Sequence, residues 1–372
     1  MSDPFVLSLE GCQSRQKRLL EWMRHQRLDA VVVCRRATVQ WLTGCHYPPL
    51  FEPLAAIQAD GNVLLVAPER KMPQQAAVQE VVPYQAQWHS TLRNDQRAAT
   101  AEVFRNAWPQ CARWQRVGVE YSTAGPHLTG LFPQAQLADA EPQLYYLRRR
   151  KEPDELALLR QAIGATGAMY QRARQIIRPG LCELEMFNQL QAVAVDYLGE
   201  PLTGTGNDYA SGQRGGPPRP RTAEAGELYI LDLGPAYRGY FADNARTLSV
   251  DRKPTQEQLA AWECICQVFQ MVEETVRPGL RCRELFDRVQ QHLDQYRPGA
   301  FNHHLGHGIG LFPHEAPHLN PHWEDVFEPG DVFTVEPGLY GPELRAGIRL
   351  ENDYLVTPQG VELLTPFPLE LA

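Results

Sequence analysis

Residues 14–27 (SRQKRLLEWMRHQR) set Leu19, Leu20 and Met23 among polar and basic positions, the spacing of one helical face. They predict an amphipathic helix. The apolar runs then shorten. Residues 29–34 (DAVVVC) have the length and β-branched content of a buried strand. A second run, residues 63–66, follows the turn pair Asp60 and Gly61, and residues 117–120 give a third. Alternating helix and strand signals over roughly 140 residues predict an α/β domain with a mixed or parallel sheet.

The pattern changes at residues 145–155 (YYLRRRKEPDE). The basic run reads either as a solvated helix start or as a binding patch. Pro153 followed by Asp154 and Glu155 fits a helix N-terminus. The boundary is placed here, giving domains 1–145 and 146–372. The second domain repeats itself. RPGLCELEMF at residues 178–187 and RPGLRCRELF at residues 277–286 share six of ten positions at an offset of 99. One reading is a shared Pro–Gly helix start. The other is a duplication, which predicts two pseudo-symmetric halves of an α+β domain, each giving helices followed by Gly-rich strands.

Composition narrows the function. The 372 residues suit two domains. Lys and Arg total 36 against 44 Asp and Glu, a net charge of −8, which argues against nucleic acid as the partner. No apolar run approaches the roughly 20 residues of a membrane span. MSDPFVLSLEGCQSR has no basic start leading into an apolar stretch, so no signal peptide is expected. Eight cysteines are scattered without a CxxC pair, the usage of reduced thiols in the cytoplasm. Histidine is different: six of eleven fall between His303 and His322, and that clustering needs a cause.

The candidate chemistry lies in five separated residues. Asp232 and Asp243 stand in LDLGPAYRGYFADNART, His307 in HHLGHGIG, Glu336 in FTVEPGLY and Glu351 in GIRLEND. Each is ambiguous alone. Asp243 reads equally as an ion-pair partner of Arg246, and His307 as a structural histidine between glycines. Together, at strand ends, four carboxylates and an imidazole are too much acid to bury unpaired. Two divalent cations remove that cost. The donor set suits Mn²⁺, Co²⁺, Fe²⁺ or Zn²⁺, and such a pair activates water for hydrolysis at neutral pH.

These motifs carry a resemblance over nearly the whole chain. LDLG…Y…D..RT, GHGIGL…HEAP, TVEPGLY and RLEN resemble the pita-bread metallopeptidases, in particular their proline-specific branch of prolidases and aminopeptidases P. SRQKRLLEWMRHQRLDAVVV through VQWLTG is similar to a creatinase-type N-terminal domain. The resemblance implies that Asp232 chelates one metal, Asp243 and Glu351 bridge both, and His307 and Glu336 bind the other. All five are present, unlike in the metal-free creatinases. It also implies that Glu336 shuttles the proton and His314 stabilises the tetrahedral intermediate. His303, Arg349 and Tyr240 then belong to the substrate site. The implied cofactor is two divalent ions, manganese first. The implied partner is a small peptide cleaved before proline, and the implied assembly is a homodimer.

The chain departs from the family at the substrate wall. The branch usually carries a proline–histidine pair ahead of the first metal strand, whereas ASGQRGGPPRPRTAEAGE has no histidine and puts Arg219 nearest that place. His318 stands where prolidases often carry arginine. Arg214, Arg219 and Arg221 read as carboxylate ligands for a substrate or as a solvated loop. Two competing functions follow: an amidohydrolase on a non-peptide small molecule, and a metal-binding relative without activity.

Overall fold

The computed structural model describes residues 6–206 and 208–372. The first five residues, on which part of the leader reading rests, lie outside them. The chain forms two compact units, Met1–Arg148 and Arg149–Ala372.

In the first unit the helix Leu9–Gln26 starts earlier than its apolar pattern predicts. Ser8 Oγ accepts from the Gly11 N–H at 2.9 Å and supplies the N-cap. A six-stranded mixed sheet runs in the order Glu80–Tyr84, Val63–Pro68, Leu54–Gln58, Ala30–Val33, Arg116–Val119 and Gln136–Asp139. Ala30–Val33 pairs antiparallel with Leu54–Gln58 and parallel with Arg116–Val119. Its four residues are all buried, which is why this strand is a continuous apolar run rather than an alternation. Glu120, at the end of its strand, accepts from the Cys34 and Arg35 N–H groups at 2.8 Å each and from Thr38 Oγ1 at 2.6 Å.

The second unit has two helix pairs: Pro153–Ile176 with Glu183–Leu198, and Gln256–Thr275 with Cys282–Tyr296. The Glu155 carboxylate accepts from the Glu152 N–H at 2.9 Å and closes the first turn of the first helix. The repeat is structural. Gly180 donates to Ala223 O at 2.8 Å, and Gly279, 99 residues later, donates to Phe327 O at 2.9 Å. Ala223 and Phe327 in turn donate to Leu181 O and Leu280 O. Both glycines have φ near +90° (+86° and +95°), the left-handed backbone that glycine adopts at no steric cost. Each half has its own apolar core, one around Met169, Leu190 and Leu231, the other around Ile265, Leu285 and Phe333.

Strands after each helix pair carry the candidate ligands. Leu228–Leu233 pairs antiparallel with Asn244–Ser249. A five-stranded sheet runs Glu315–Leu319, Gly306–Gly308, Val332–Val335, Asn352–Thr357 and Gly360–Leu363. The hairpin Gly338–Gly341 with Ala346–Arg349 completes the site. Among the described residues no helix is long and apolar enough to cross a membrane.

Candidate metal centre

The register of the first strand pair explains the spacing of the two aspartates. Ala245 lies opposite Asp232 and Asn244 opposite Leu233, so Asp243, one residue before its strand, sits at the same end of the ladder as Asp232. A short hairpin, Ala236–Tyr237 with Tyr240–Phe241, fills the return. Arg246 does not neutralise Asp243. Its guanidinium donates to Pro368 O at 3.0 Å, Ala245 O at 2.9 Å and Asn352 Oδ1 at 3.0 Å.

The second half brings the remaining candidates to the same place. Ligand atoms of Asp232, Asp243 and Glu351 lie within 4.8 Å of one another, as do those of Asp243, His307 and His314. His307 Nε2 is 3.4 Å from Glu336 Oε1 and 3.7 Å from Asp243 Oδ2. Gly306 and Gly308 flank His307 because a Cβ at either would collide with backbone, Thr334 O and Ala316 O respectively. The centre opens into a cavity of about 260 Å³ lined by Asp232, Asp243, His303, His304, His307, His314, Glu336, Arg214 and Arg349 among others.

The electrostatics of this protein-only site call for cations. Both carboxylate oxygens of Glu351 are buried, and among the described residues neither finds a hydrogen-bond donor. Burial and the neighbouring carboxylates push Glu351 and Asp243 well above the usual carboxylate range. Asp232 is raised too, by burial, with Arg349 opposing. Glu336 goes the other way, because His304 and His307 outweigh its burial. A hard oxygen-rich set with one nitrogen and two orphaned oxygens fits divalent metal ions.

The other predicted residues divide into two groups. His314 stacks on His307 with ring centroids 3.7 Å apart; burial, His307 and His304 push it down to about 4. His303 accepts from or donates to Tyr340 Oη at 3.1 Å. Arg349 lies in the wall, with Nη2 on Asp232 Oδ2 at 2.7 Å and on Asp208, and Nη1 3.3 Å from Tyr340 Oη. Two residues are placed elsewhere. Tyr240 is buried with its hydroxyl on Glu155 Oε1 at 3.0 Å, and it is its neighbour Phe241 that lines the cavity. Arg219 is held on the buried Glu183 at 2.6 and 2.9 Å, so its charge is used in the scaffold and Arg214 lines the cavity instead.

Sequence reasoning missed four participants. His304, left unassigned there, puts Nε2 2.9 Å from Glu336 Oε1. Asp208 flanks Arg349 from a loop that gives no pattern signal, and Tyr340, the last residue of TVEPGLY, flanks it from a hairpin. Asp353 is fully buried beside these acids, and burial pushes it well above the usual carboxylate range. Its signal was available: it is two residues after Glu351, on the same face of an extended chain.

Residues 157–358 match metallopeptidase family M24, and residues 15–149 match the creatinase/prolidase N-terminal domain. The fold and site thus define a two-domain metallopeptidase with a pita-bread catalytic unit. The chain belongs to metallopeptidase family M24. It is 26% identical over 370 residues to the Xaa-Pro dipeptidase of Pyrococcus horikoshii, covering 95% of this chain and 97% of that protein. Its fold is similar to the Xaa-Pro dipeptidase structure from Bacillus anthracis, with a TM-score of 0.82, 24% identity and coverage of 97% and 99% of the two chains. It is also similar to the X-Pro aminopeptidase structure from Thermotoga maritima, with a TM-score of 0.80, 22% identity and coverage of 96% and 99%. Both structural likenesses are under 25% identical and speak to the fold.

Proposed function

We propose that this chain is a dinuclear metal-dependent peptidase that hydrolyses the Xaa-Pro bond of dipeptides or short peptides. The carrying observation is the convergence of Asp232, Asp243, His307 and Glu336, from both halves of the repeat, on one cavity, with Glu351 buried beside Asp232 and Asp243. The relative named an Xaa-Pro dipeptidase matches over almost its full length and supports the substrate class. Those five residues would hold two ions, manganese first, and the ions would supply Lewis acidity toward the scissile carbonyl and toward water.

The side chains supply the rest. Glu336, with one oxygen facing His304 and His307, is placed to take a proton from the attacking water and return it to the leaving nitrogen. His314, neutral near pH 7 and at the cavity mouth, is placed to donate to the developing oxyanion. His303 and Tyr340 form one wall against the substrate, and Arg349 holds Asp232 in place. Eight cysteines, none of them in a disulfide among the described residues, support a reducing, cytoplasmic compartment, and the family resemblance supports a homodimer.

The test is a dipeptide panel on manganese-supplemented protein. Turnover confined to Xaa-Pro members, lost on chelation and restored by metal, is the expected result. Turnover of non-proline dipeptides at equal rates overturns the specificity. No turnover of any dipeptide with both ions bound overturns the peptidase assignment.

A further inference from the structure

Three arginines lie in the loop between Ser211 and Thr222, and the structure separates them. Arg219 is paired with Glu183. Arg221 is paired with Glu227 at 2.9 Å and Glu224 at 3.3 Å. Arg214 alone of the three lines the cavity, and among the described residues it makes no ion pair. Its guanidinium lies over the Tyr340 ring, 4.1 Å from the centroid. That position is held by backbone. Arg349 Nη1 donates to Arg214 O at 3.2 Å, and the Gly216 N–H donates to Asp208 Oδ1 at 2.7 Å. A Cβ at position 215 would meet the Asp208 carboxylate, which Arg349 and the Gly216 N–H hold in place. The loop is therefore fastened to the cavity wall at residue 214 and just after it, and the Arg214 side chain has no ion-pair partner among the described residues.

Charge then decides what that side chain meets. The cavity wall and centre hold six carboxylates: Asp208, Asp232, Asp243, Glu336, Glu351 and Asp353. Arg349 is already bound to two of them, Asp208 and Asp232. Arg214 is a positive charge on the cavity wall that none of these acids pairs with among the described residues. A guanidinium recognises a carboxylate through paired, charge-assisted donors, and stacking on Tyr340 fixes the plane of those donors.

We infer that Arg214 is the specificity residue that recognises the free C-terminal carboxylate of the substrate, which makes unblocked dipeptides the preferred class. The inference rests on the peptidase reading above and narrows it: a longer or amidated peptide has no carboxylate at that position.

The experiment compares kcat/KM for an Xaa-Pro dipeptide and its amide in manganese-supplemented wild type, Arg214→Gln and Arg214→Lys. Calorimetric binding of proline and prolinamide is measured on the same three proteins. In Arg214→Gln the dipeptide-to-amide ratio is expected to fall about tenfold, mainly through KM, the scale of one lost charge-assisted pair. Arg214→Lys should fall between, since it keeps the charge but not the paired donors. The preference for proline over prolinamide should follow the same order. An unchanged ratio in Arg214→Gln, with the wild type active, overturns the role of Arg214 and leaves the peptidase reading intact. If the wild type turns over neither substrate, the peptidase reading fails. Calorimetry then decides on its own: an Arg214-dependent preference for proline sustains the carboxylate site, and its absence overturns it.

Discussion

His304 Nε2 lies 2.9 Å from Glu336 Oε1, the oxygen that also faces His307 at 3.4 Å. Glu336 thus has its orientation set from the cavity side by one imidazole and from the buried side by another. His304→Ala removes one of these constraints and leaves the five candidate ligands intact. We expect kcat to fall about tenfold, the scale of a hydrogen bond to a charged group, with a smaller change in KM. His304→Gln, which retains a donor, should recover part of the loss. Steady-state kinetics beside metal analysis checks this; an unaltered kcat in His304→Ala would leave His304 as lining only.

Asp243 stands within 4.8 Å of ligand atoms in two groups, one with His307 and His314 and one with Asp232 and Glu351. Asp243→Ala should therefore reduce the ion content of both positions. Asp251→Ala is the control. That carboxylate accepts from Gly226 and Lys253 N–H groups in a turn and is no part of the centre. Elemental analysis after gel filtration should show normal content in Asp251→Ala and a large loss in Asp243→Ala. Equal content in the two refutes the ligand set.

Glu336→Gln keeps the shape and one oxygen donor but cannot take a proton. Turnover should drop by a factor on the order of 10² or more, the range for lost general acid–base catalysis. The melting temperature should stay close to wild type, since glutamine keeps an oxygen that can accept from His304 and His307. Near-normal turnover would make Glu336 a structural carboxylate.

Metal and pH are linked with a definite sign. Asp232, Asp243, Glu351 and Asp353 are raised in the metal-free fold, chiefly by burial. Groups with raised values hold more protons folded than unfolded, so they lower stability as pH rises above the ordinary carboxylate range. Glu336 is lowered and opposes them, one group against four. Divalent ions bind the deprotonated carboxylates, so their stabilising effect grows over the same range. Between about pH 5 and about pH 7.5 the chelated protein should lose melting temperature, and the gap to manganese-loaded protein should widen. A gap that is constant with pH would mean that these acids do not bind the ion.

Arg219→Ala tests the scaffold role of that residue. Glu183 has a fully buried side chain and accepts from Arg219 and from the Ser211 N–H. Losing the arginine leaves a buried carboxylate with Arg221 at 3.5 Å as its remaining cation. We expect about 1–3 kcal/mol of destabilisation in urea, the penalty for a buried group deprived of a partner. The dipeptide-to-amide ratio should be unaffected. A changed ratio with unchanged stability would return Arg219 to the substrate site.

The strands Ala30–Val33, Val63–Pro68 and Arg116–Val119 were legible because burial on both faces demands unbroken apolar runs. Leu54–Gln58 was not: its Ala55 and Ala56 give a weak strand signal, and pairing with neighbours on both sides makes it a strand. Glu80–Tyr84, with Pro83 inside it, is an edge strand of the kind that periodicity passes over.

The sequence by itself singled out the candidate ligands of the centre. Four acids and a histidine, spread over 120 residues in Gly-rich strand-end contexts, admit few uses other than binding cations, and the six-in-ten repeat indicated two halves to hold them. Which residues surround that centre was decided by the tertiary structure. Three arginines in one loop are equivalent as letters, and only packing shows Arg219 and Arg221 neutralised by Glu183 and Glu227 while Arg214 faces the cavity. The same holds for His303 and His304, adjacent in sequence and directed to Tyr340 and Glu336 respectively. A ligand set is fixed by the cost of burying its charge, which composition and motif reveal. The direction of a loop side chain is fixed by partners distant in sequence, and those exist only once the chain has folded.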